Sequence, residues 1–477
     1  MPERNDGGIW SAIRSQFAGN LPAIIGFSFC LVWVFVASHD LSISITLVSI
    51  EGLSARSILL AGTALGALFL LLFARKKLIP GPKEVGIGAG LMSIGFLLFG
   101  FPDALEVPEP VSLAFIFLSG FGYGVLFLAW VCRANTSDPR HSLAFFGLSI
   151  FIASIMDAIL IVLPLYAIMV AMICLPAFSL VLYVNSHRTA PRAPRKKETK
   201  PSLAPSKKAV LAAIVLPLVV EGFAYGAFTQ LVVHLNTNLE NVVGIYALTI
   251  TAALLLISAA LYQWLAKRKT VMFAFFIMLA LGYSCIPLFS SDIRLVIFVL
   301  MLSYNFFYFL ALALCGEFWK RAGISFMICA TVAVLAFSGG DTLGSLFVGG
   351  FAGVLQAEIF YIAMANAVVY SFLIAAFVAV QFFFGERDSR SRMGDDTEAL
   401  VGVYAQKHTL SQRETEVFEL LVRGRSAQVI AEKLYISTDT VRVHIKSIYK
   451  KLEVHSQQEL IEAFENYKTQ TQKRGNE

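Results

Sequence analysis

Twelve apolar stretches, each long enough to cross a bilayer, follow one another along the first four-fifths of the chain. They run roughly 21–41, 55–74, 84–101, 111–132, 142–163, 165–185, 209–232, 242–264, 270–289, 295–316, 324–347 and 357–384. About 20 residues suffice for a helix to span the hydrocarbon core. Of the 477 residues 57% are hydrophobic and 15% charged, against about 25% charged in ordinary soluble domains. No globular surface hides that much apolar material from water, so residues 1–384 are expected in lipid, with segment 39–56 open between an extension of the first helix and an interfacial loop. No short apolar region with a cleavage site opens the chain, so no cleaved signal peptide is expected.

Charge sets the expected orientation. With the N-terminus in the cytoplasm, inner segments hold 21 Lys and Arg, including eight between Arg188 and Lys208. Outer segments hold two, Arg56 and Arg294. Lys/Arg bias fixes topology, so both termini are expected on the cytoplasmic side of the membrane. The six cysteines lie in or at the ends of apolar runs and form no CxxC, which reads as buried thiols.

The longest inner loop, 186–208, is basic and Pro-rich and divides the spans into six helices (21–185) and six (209–384). A 6+6 bundle with such a loop resembles the major facilitator superfamily, whose halves are repeats around a midplane cavity. The loop FARKKLIPGPKE (73–84) is basic as in that family but lacks its Asp.

At Gly385 the composition changes. Residues 385–477 hold 15 basic and 15 acidic side chains. Residues 385–408 read as a linker whose Leu400, Val403 and Tyr404 have the spacing of a helical turn packing on the domain after it. Residues 409–465 read as four helices, and 466–477 as a polar tail. Ser411-x-x-Glu414 and Ser456-x-x-Glu459 are capping boxes, and Ser426 and Ser437 are candidate caps. In the third helix Val441, Ile445, Ile448 and Leu452 make one apolar face, while Arg442, Lys446 and Lys450 run along another beside Val443. Positive charge gathered on one helix of a neutral domain is the footprint of a helix entering the DNA major groove.

The segment LSQRETEVFELLVRGRSAQVIAEKLYISTDTVRVHIKSIYKKLEV (410–454) resembles the LuxR-type helix-turn-helix, whose pattern is met from Leu410 to Leu460 except at Val429 and Gln457. The resemblance implies that Arg442, Val443 and Lys446 reach base edges and that Thr440, Lys450 and Lys451 hold phosphates. It also implies a homodimer on double-stranded operator DNA, with the fourth helix as the dimer contact.

Three acids lie within spans: Asp157 in the fifth, Glu221 in the seventh and Asp341 in the eleventh. Ionisable residues in lipid are costly and face cavities or partners, so these three are candidate ligand-sensing residues. No nucleotide loop, metal-ligand cluster or Ser/His/Asp arrangement stands out, so neither an enzyme, a metal nor a cofactor is expected. The expected architecture is all-α: a polytopic bundle of twelve transmembrane helices with a C-terminal four-helix helix-turn-helix domain. The expected function is a membrane-bound one-component transcriptional regulator sensing an unknown small molecule; the alternative is a secondary transporter with a regulatory DNA-binding tail. The topology has a direct check. A cysteine at Asn238, after the seventh span, is expected to be labelled from outside intact cells, and one at Thr199 is not; the reverse pattern contradicts the twelve-span arrangement.

Overall fold

The computed structural model describes residues 9–39, 49–50, 53–74, 79–99, 108–134, 139–189, 215, 218–227, 229–230, 241–265, 294–322, 325–355, 400–422 and 424–474. The chain divides into two compact units, Met1–Ala379 and Val380–Glu477.

In the first unit the helices are α1 (Ile9–His39), α2 (Ala55–Ala74), α3 (Pro82–Phe99), α4 (Glu109–Ala134), α5 (Pro139–Leu160), α6 (Leu165–Thr189), α7 (Leu218–Ala227), α8 (Asn241–Leu265), α9 (Arg294–Ala322) and α10 (Phe326–Leu355). Among the described residues seven helices are long and apolar enough to cross a membrane. The expected spans 270–289 and 357–384 and the loop 190–208 lie outside the described residues, as do 209–214, 216–217, 228 and 231–232 of the expected span 209–232. The first helix runs from Ile9, and its membrane-length apolar part, Asn20–Ala37, agrees with the expected span 21–41. The open segment 39–56 contains a two-residue antiparallel ladder, β1 (Ser49–Ile50) on β2 (Leu53–Ser54), the one departure from helical elements among the described residues of the unit.

Polar side chains inside the bundle answer to the same rule as its backbone: a group without water needs a protein partner. Trp33 Nε1 donates to the Met172 carbonyl at 3.0 Å and Trp130 Nε1 to Ser179 Oγ at 2.9 Å, which in turn donates to the Gly26 carbonyl. Tyr183 OH donates to the Pro80 carbonyl. These bonds tie α1, α4 and α6 together around a core of Phe27, Phe127, Phe145 and Phe146.

The contact between α7 and α10 sets the surroundings of two of the buried acids, Glu221 and Asp341. Gly222 and Gly226 on α7 face Gly340 and Gly344 on α10, each pair one helical turn apart. A Cβ at Gly222 would strike the Phe337 carbonyl, and one at Gly344 the Phe223 carbonyl. Small residues at this spacing let two backbones touch, which in lipid is a main source of helix association. The same device joins α2 to α4 through Gly62, Gly66, Gly120 and Gly124. α2 also packs on α10, and α5 on α8.

In the second unit residues 400–407 form α11, followed by α12 (Gln412–Val422), α13 (Ala427–Leu434), α14 (Thr438–Leu452) and α15 (Gln457–Arg474). Two boundaries therefore move. The expected linker 385–408 gives its last residues to the domain, because Val401 and Tyr404 are buried in its core. Tyr404 stacks on Phe418 and meets Phe464 edge-on, with centroids 5.7 and 5.5 Å apart. The expected polar tail 466–477 is helical to Arg474, with Tyr467 against Tyr404.

The capping boxes form as read. Ser411 N donates to Glu414 Oε2 and Glu414 N to Ser411 Oγ. At the second box Glu459 reaches one residue further, to His455 N. Ser437 caps α14 through Thr440 N, whereas Ser426 sits at the start of α13 with no side-chain cap bond. Gln457, which departs from the family pattern, donates to the carbonyls of Leu421 and Arg425 and so satisfies the end of α12.

One node fixes α14 against α12. The buried Glu414 accepts from Ser447 Oγ at 2.5 Å and from Lys451 Nζ at 2.6 Å, besides Ser411 N. Burial pushes its carboxyl up, but the bonds from Lys451, Ser411 and Ser447 outweigh that and hold it down at about 2, against an ordinary 4.5. A depressed folded-state pKa contributes stability that is whole above pH 4.5 and is lost as pH falls towards 2. In a fragment spanning 396–477, Glu414→Gln is expected to cost about 1.5–3 kcal/mol at pH 7 by urea denaturation. The gap from wild type should close as pH falls through that window; a gap independent of pH would remove the charged node from the account.

Candidate DNA interface and intramembrane acid site

The helix-turn-helix is set by backbone geometry. α13 ends at Tyr435 in the left-handed region (φ 56°), with its N–H on the Ala431 carbonyl, and Ser437 opens α14 two residues later. That short turn places α14 across α13, and both helices rest on the same core through Ile430, Ala431, Val441 and Ile448.

The two faces of α14 separate as the sequence implied. Val441 and Ile448 are buried, while Thr440, Arg442, Val443, Lys446 and Lys450 are exposed. Val443 is 68% exposed, an apolar side chain held in water between basic ones. Arg442 Nη1 lies 3.1 Å from Asp439 Oδ1, with both side chains mostly in solvent. An exposed pair of this kind is worth little and does not keep the guanidinium from another partner. Lys451 differs from the rest: its ammonium is engaged within the domain, on Glu414 and on the Thr409 carbonyl. The family resemblance put it with the phosphate contacts; its partner Glu414 lies on another helix.

The three acids of the first unit are all buried. Asp157 on α5 has a partner of its own. Glu221 on α7 is 1% exposed, and neither carboxyl oxygen has a hydrogen-bond partner among the described residues. Asp341 on α10 is paired with Arg56 at the start of α2, Nη2 to Oδ1 3.2 Å; its Oδ2 has no hydrogen-bond partner among the described residues. The Arg56 guanidinium also sits 4.2 Å from the centroid of the Tyr225 ring, on the same helix as Glu221. Tyr225 stacks on Tyr304 of α9 at 4.0 Å. Arg56 is thus a site residue that sequence reasoning missed. The available signal was its rarity, as one of two basic residues in the outer segments.

Comparison with known proteins bears on both units. The profile of the family described as bacterial regulatory proteins, luxR family, matches residues 408–464. Spore germination protein GerE of Bacillus subtilis (strain 168) is 41% identical over 58 residues, 12% of this chain and 78% of that protein. The uncharacterized response regulatory protein YgeK of Escherichia coli (strain K12) is 39% identical over 66 residues, 14% of this chain and 45% of that one. Transcriptional regulatory protein DegU of Brevibacillus brevis is 40% identical over 60 residues, 12% of this chain and 25% of that one. The chain therefore spans less than half the length of YgeK and of DegU.

Two solved structures are similar over the helical bundle. One is a major facilitator superfamily transporter, FucP, in the outward conformation, at 15% identity, covering 77% of this chain and 99% of that one, with a TM-score of 0.48. The other is a bacterial homologue of the iron transporter ferroportin in an outward-facing state, at 16% identity, covering 78% and 98%, with a TM-score of 0.45. The tail, with its exposed basic α14, is a LuxR-type DNA-binding helix-turn-helix, and through it the chain belongs to the luxR family of bacterial regulatory proteins.

Proposed function

We propose that the protein is a membrane-bound one-component transcriptional regulator of the bacterial inner membrane, with both termini in the cytoplasm. The bundle senses a small molecule, and the tail binds operator DNA as a homodimer. The observation that carries this reading is the exposed face of α14, where Thr440, Arg442, Val443, Lys446 and Lys450 stand in solvent on a helix locked from behind by Glu414. Arg442 and Lys446 offer donors to guanine O6 and N7, and Val443 offers an apolar contact to a thymine methyl. Thr440 and Lys450 lie where a phosphate backbone would pass and position the helix. Lys451 acts behind them, by holding α14 in place.

Sensing is assigned to the buried acids Asp157, Glu221 and Asp341. A ligand shifts a two-state equilibrium only by its differential affinity for the states. The Arg56–Asp341 pair supplies a term of the right size, because removing one partner of a buried ion pair costs about 3–5 kcal/mol. A bundle that changes state alters whether two tails can pair on one operator.

Two experiments test the reading. On a selected operator, Arg442→Ala or Lys446→Ala is expected to cost about 1–3 kcal/mol and to relax specificity at one base pair each, while Lys450→Ala weakens all sequences alike and reduces the salt slope by about one. Unchanged operator affinity in Arg442→Ala would remove α14 from the groove. In cells, Asp341→Asn is expected to change output from the operator's promoter and to blunt its ligand response at unchanged membrane level. A loss that merely tracks a fall in protein level would make Asp341 a structural residue.

A further inference from the structure

The surroundings of Asp341 have the chemistry of a cation site that is already filled. Its acid, Asp341, and the aromatic residues Tyr225, Tyr304 and Phe337 beside it come from after the central loop 187–208. Asp341 and Phe337 stand on α10, Tyr225 on α7 and Tyr304 on α9, with Tyr225 on Tyr304 at 4.0 Å and Tyr304 on Phe337 at 5.2 Å. The occupant comes from before that loop. Arg56 of α2 extends a guanidinium that meets the carboxylate at 3.2 Å and the Tyr225 ring at 4.2 Å. A carboxylate beside an aromatic face is how proteins hold organic cations, and a planar cation is favoured where ring and carboxylate are met together.

Two observations and one physical argument indicate that the occupant is replaceable rather than a permanent tie. Asp341 Oδ2 is buried without a hydrogen-bond partner among the described residues, so the tethered guanidinium of Arg56 uses only half of the carboxylate, and a planar cation not held by a helix is free to meet both oxygens. Arg56 keeps 19% of its side chain exposed and Asp341 1%, so of the two partners the cation is the one less enclosed by the bundle. A purely structural tie between α2 and α10 would be served as well by apolar side chains, because desolvating both charges offsets their attraction.

We propose that the Asp341–Tyr225–Tyr304 site binds an amidinium or guanidinium compound with a flat apolar body, and that Arg56 occupies it as an internal ligand which that compound displaces. The proposal rests on the sensing role proposed for Asp341. Displacement breaks the Arg56–Asp341 bridge from α2 to α10, so ligand binding and the change of bundle state become one event. Apparent affinity in the wild-type chain is lowered by the fraction of time Arg56 fills the site.

The test uses the full chain in lipid nanodiscs, with benzamidinium as probe and neutral benzamide as its control at constant ionic strength, read by thermal unfolding. Arg56→Ala is expected to be stabilised by benzamidinium at concentrations at least about tenfold lower than wild type requires. Benzamide should do nothing, and adding Asp341→Asn to Arg56→Ala should abolish the response. Should Arg56→Ala fail to accumulate, Arg56→Gln, which keeps the bulk without the charge, carries the same comparison. Equal responses of Arg56→Ala and the double variant, or equal responses to benzamidinium and benzamide, would overturn the site. Benzamidinium binding that leaves operator affinity of the full chain unchanged would keep the site and overturn the sensing reading. An operator response to another compound, without benzamidinium binding, would do the reverse.

Discussion

A polar group inside hydrocarbon has no water to turn to, and the first unit is organised by that constraint. Its backbone is helical because a helix bonds its own amides and carbonyls. Several of its buried indoles and hydroxyls end on backbone carbonyls of other segments, as Trp33 does on Met172 and Tyr183 on Pro80. Since lipid offers apolar side chains as good a solvent as protein does, helices gain little by burying leucine against leucine. Close backbone approach does more, and Gly222, Gly226, Gly340 and Gly344 supply it at α7 and α10. Buried oxygens without a hydrogen-bond partner among the described residues include the hydroxyls of Ser149, Thr251 and Thr331, and the costliest of them are the carboxyl oxygens, both of Glu221 and Oδ2 of Asp341. Departures of this kind in membrane helices mark function.

The tail solves a different problem, that of a small domain in water. Its core is a dozen side chains, closed at one side by Tyr404 from the segment that precedes the family pattern. A core this small gives little stability to spare. The Glu414 node then matters beyond its size, since it joins the start of α12 to the far end of α14 and leaves the opposite face of α14 free for DNA. Rigid support behind and solvent in front is what a reading helix requires.

How much of this was legible in the sequence depends on how local each cause is. The capping boxes at Ser411 and Ser456, the Ser437 cap and the two faces of α14 are set by residues within four positions of each other, and all are seen in the structure. Of the spaced residues Leu400, Val403 and Tyr404, Tyr404 joins the core and Leu400 packs against it, but Val403 is exposed and Val401 takes the buried place instead. Contacts between distant segments were not visible. Arg56 and Asp341 are 285 residues apart, and only the register of α2 on α10 joins them. Lys451 carries the same charge as its neighbours, and only the fold directs it at Glu414, 37 residues earlier. Ser426 has the right type at the right place for a cap, yet its side chain forms no cap bond. Asp341 could be read as an acid needing a partner, but the partner could not be named.

The bundle and the tail are joined in one chain, and the proposed regulator requires that they be joined in energy as well. The most direct measurement is operator affinity of the full chain in nanodiscs, wild type against Arg56→Gln, with the fragment 396–477 as reference. The substitution lies far from the tail in sequence and leaves the fragment untouched, so any difference between the two full chains reports coupling. The expected result is a change of at least about fivefold in operator affinity, the lower end of allosteric coupling between two sites. Identical affinities for wild type and Arg56→Gln, with both chains folded in the membrane, would contradict control of the DNA-binding tail by the state of the bundle.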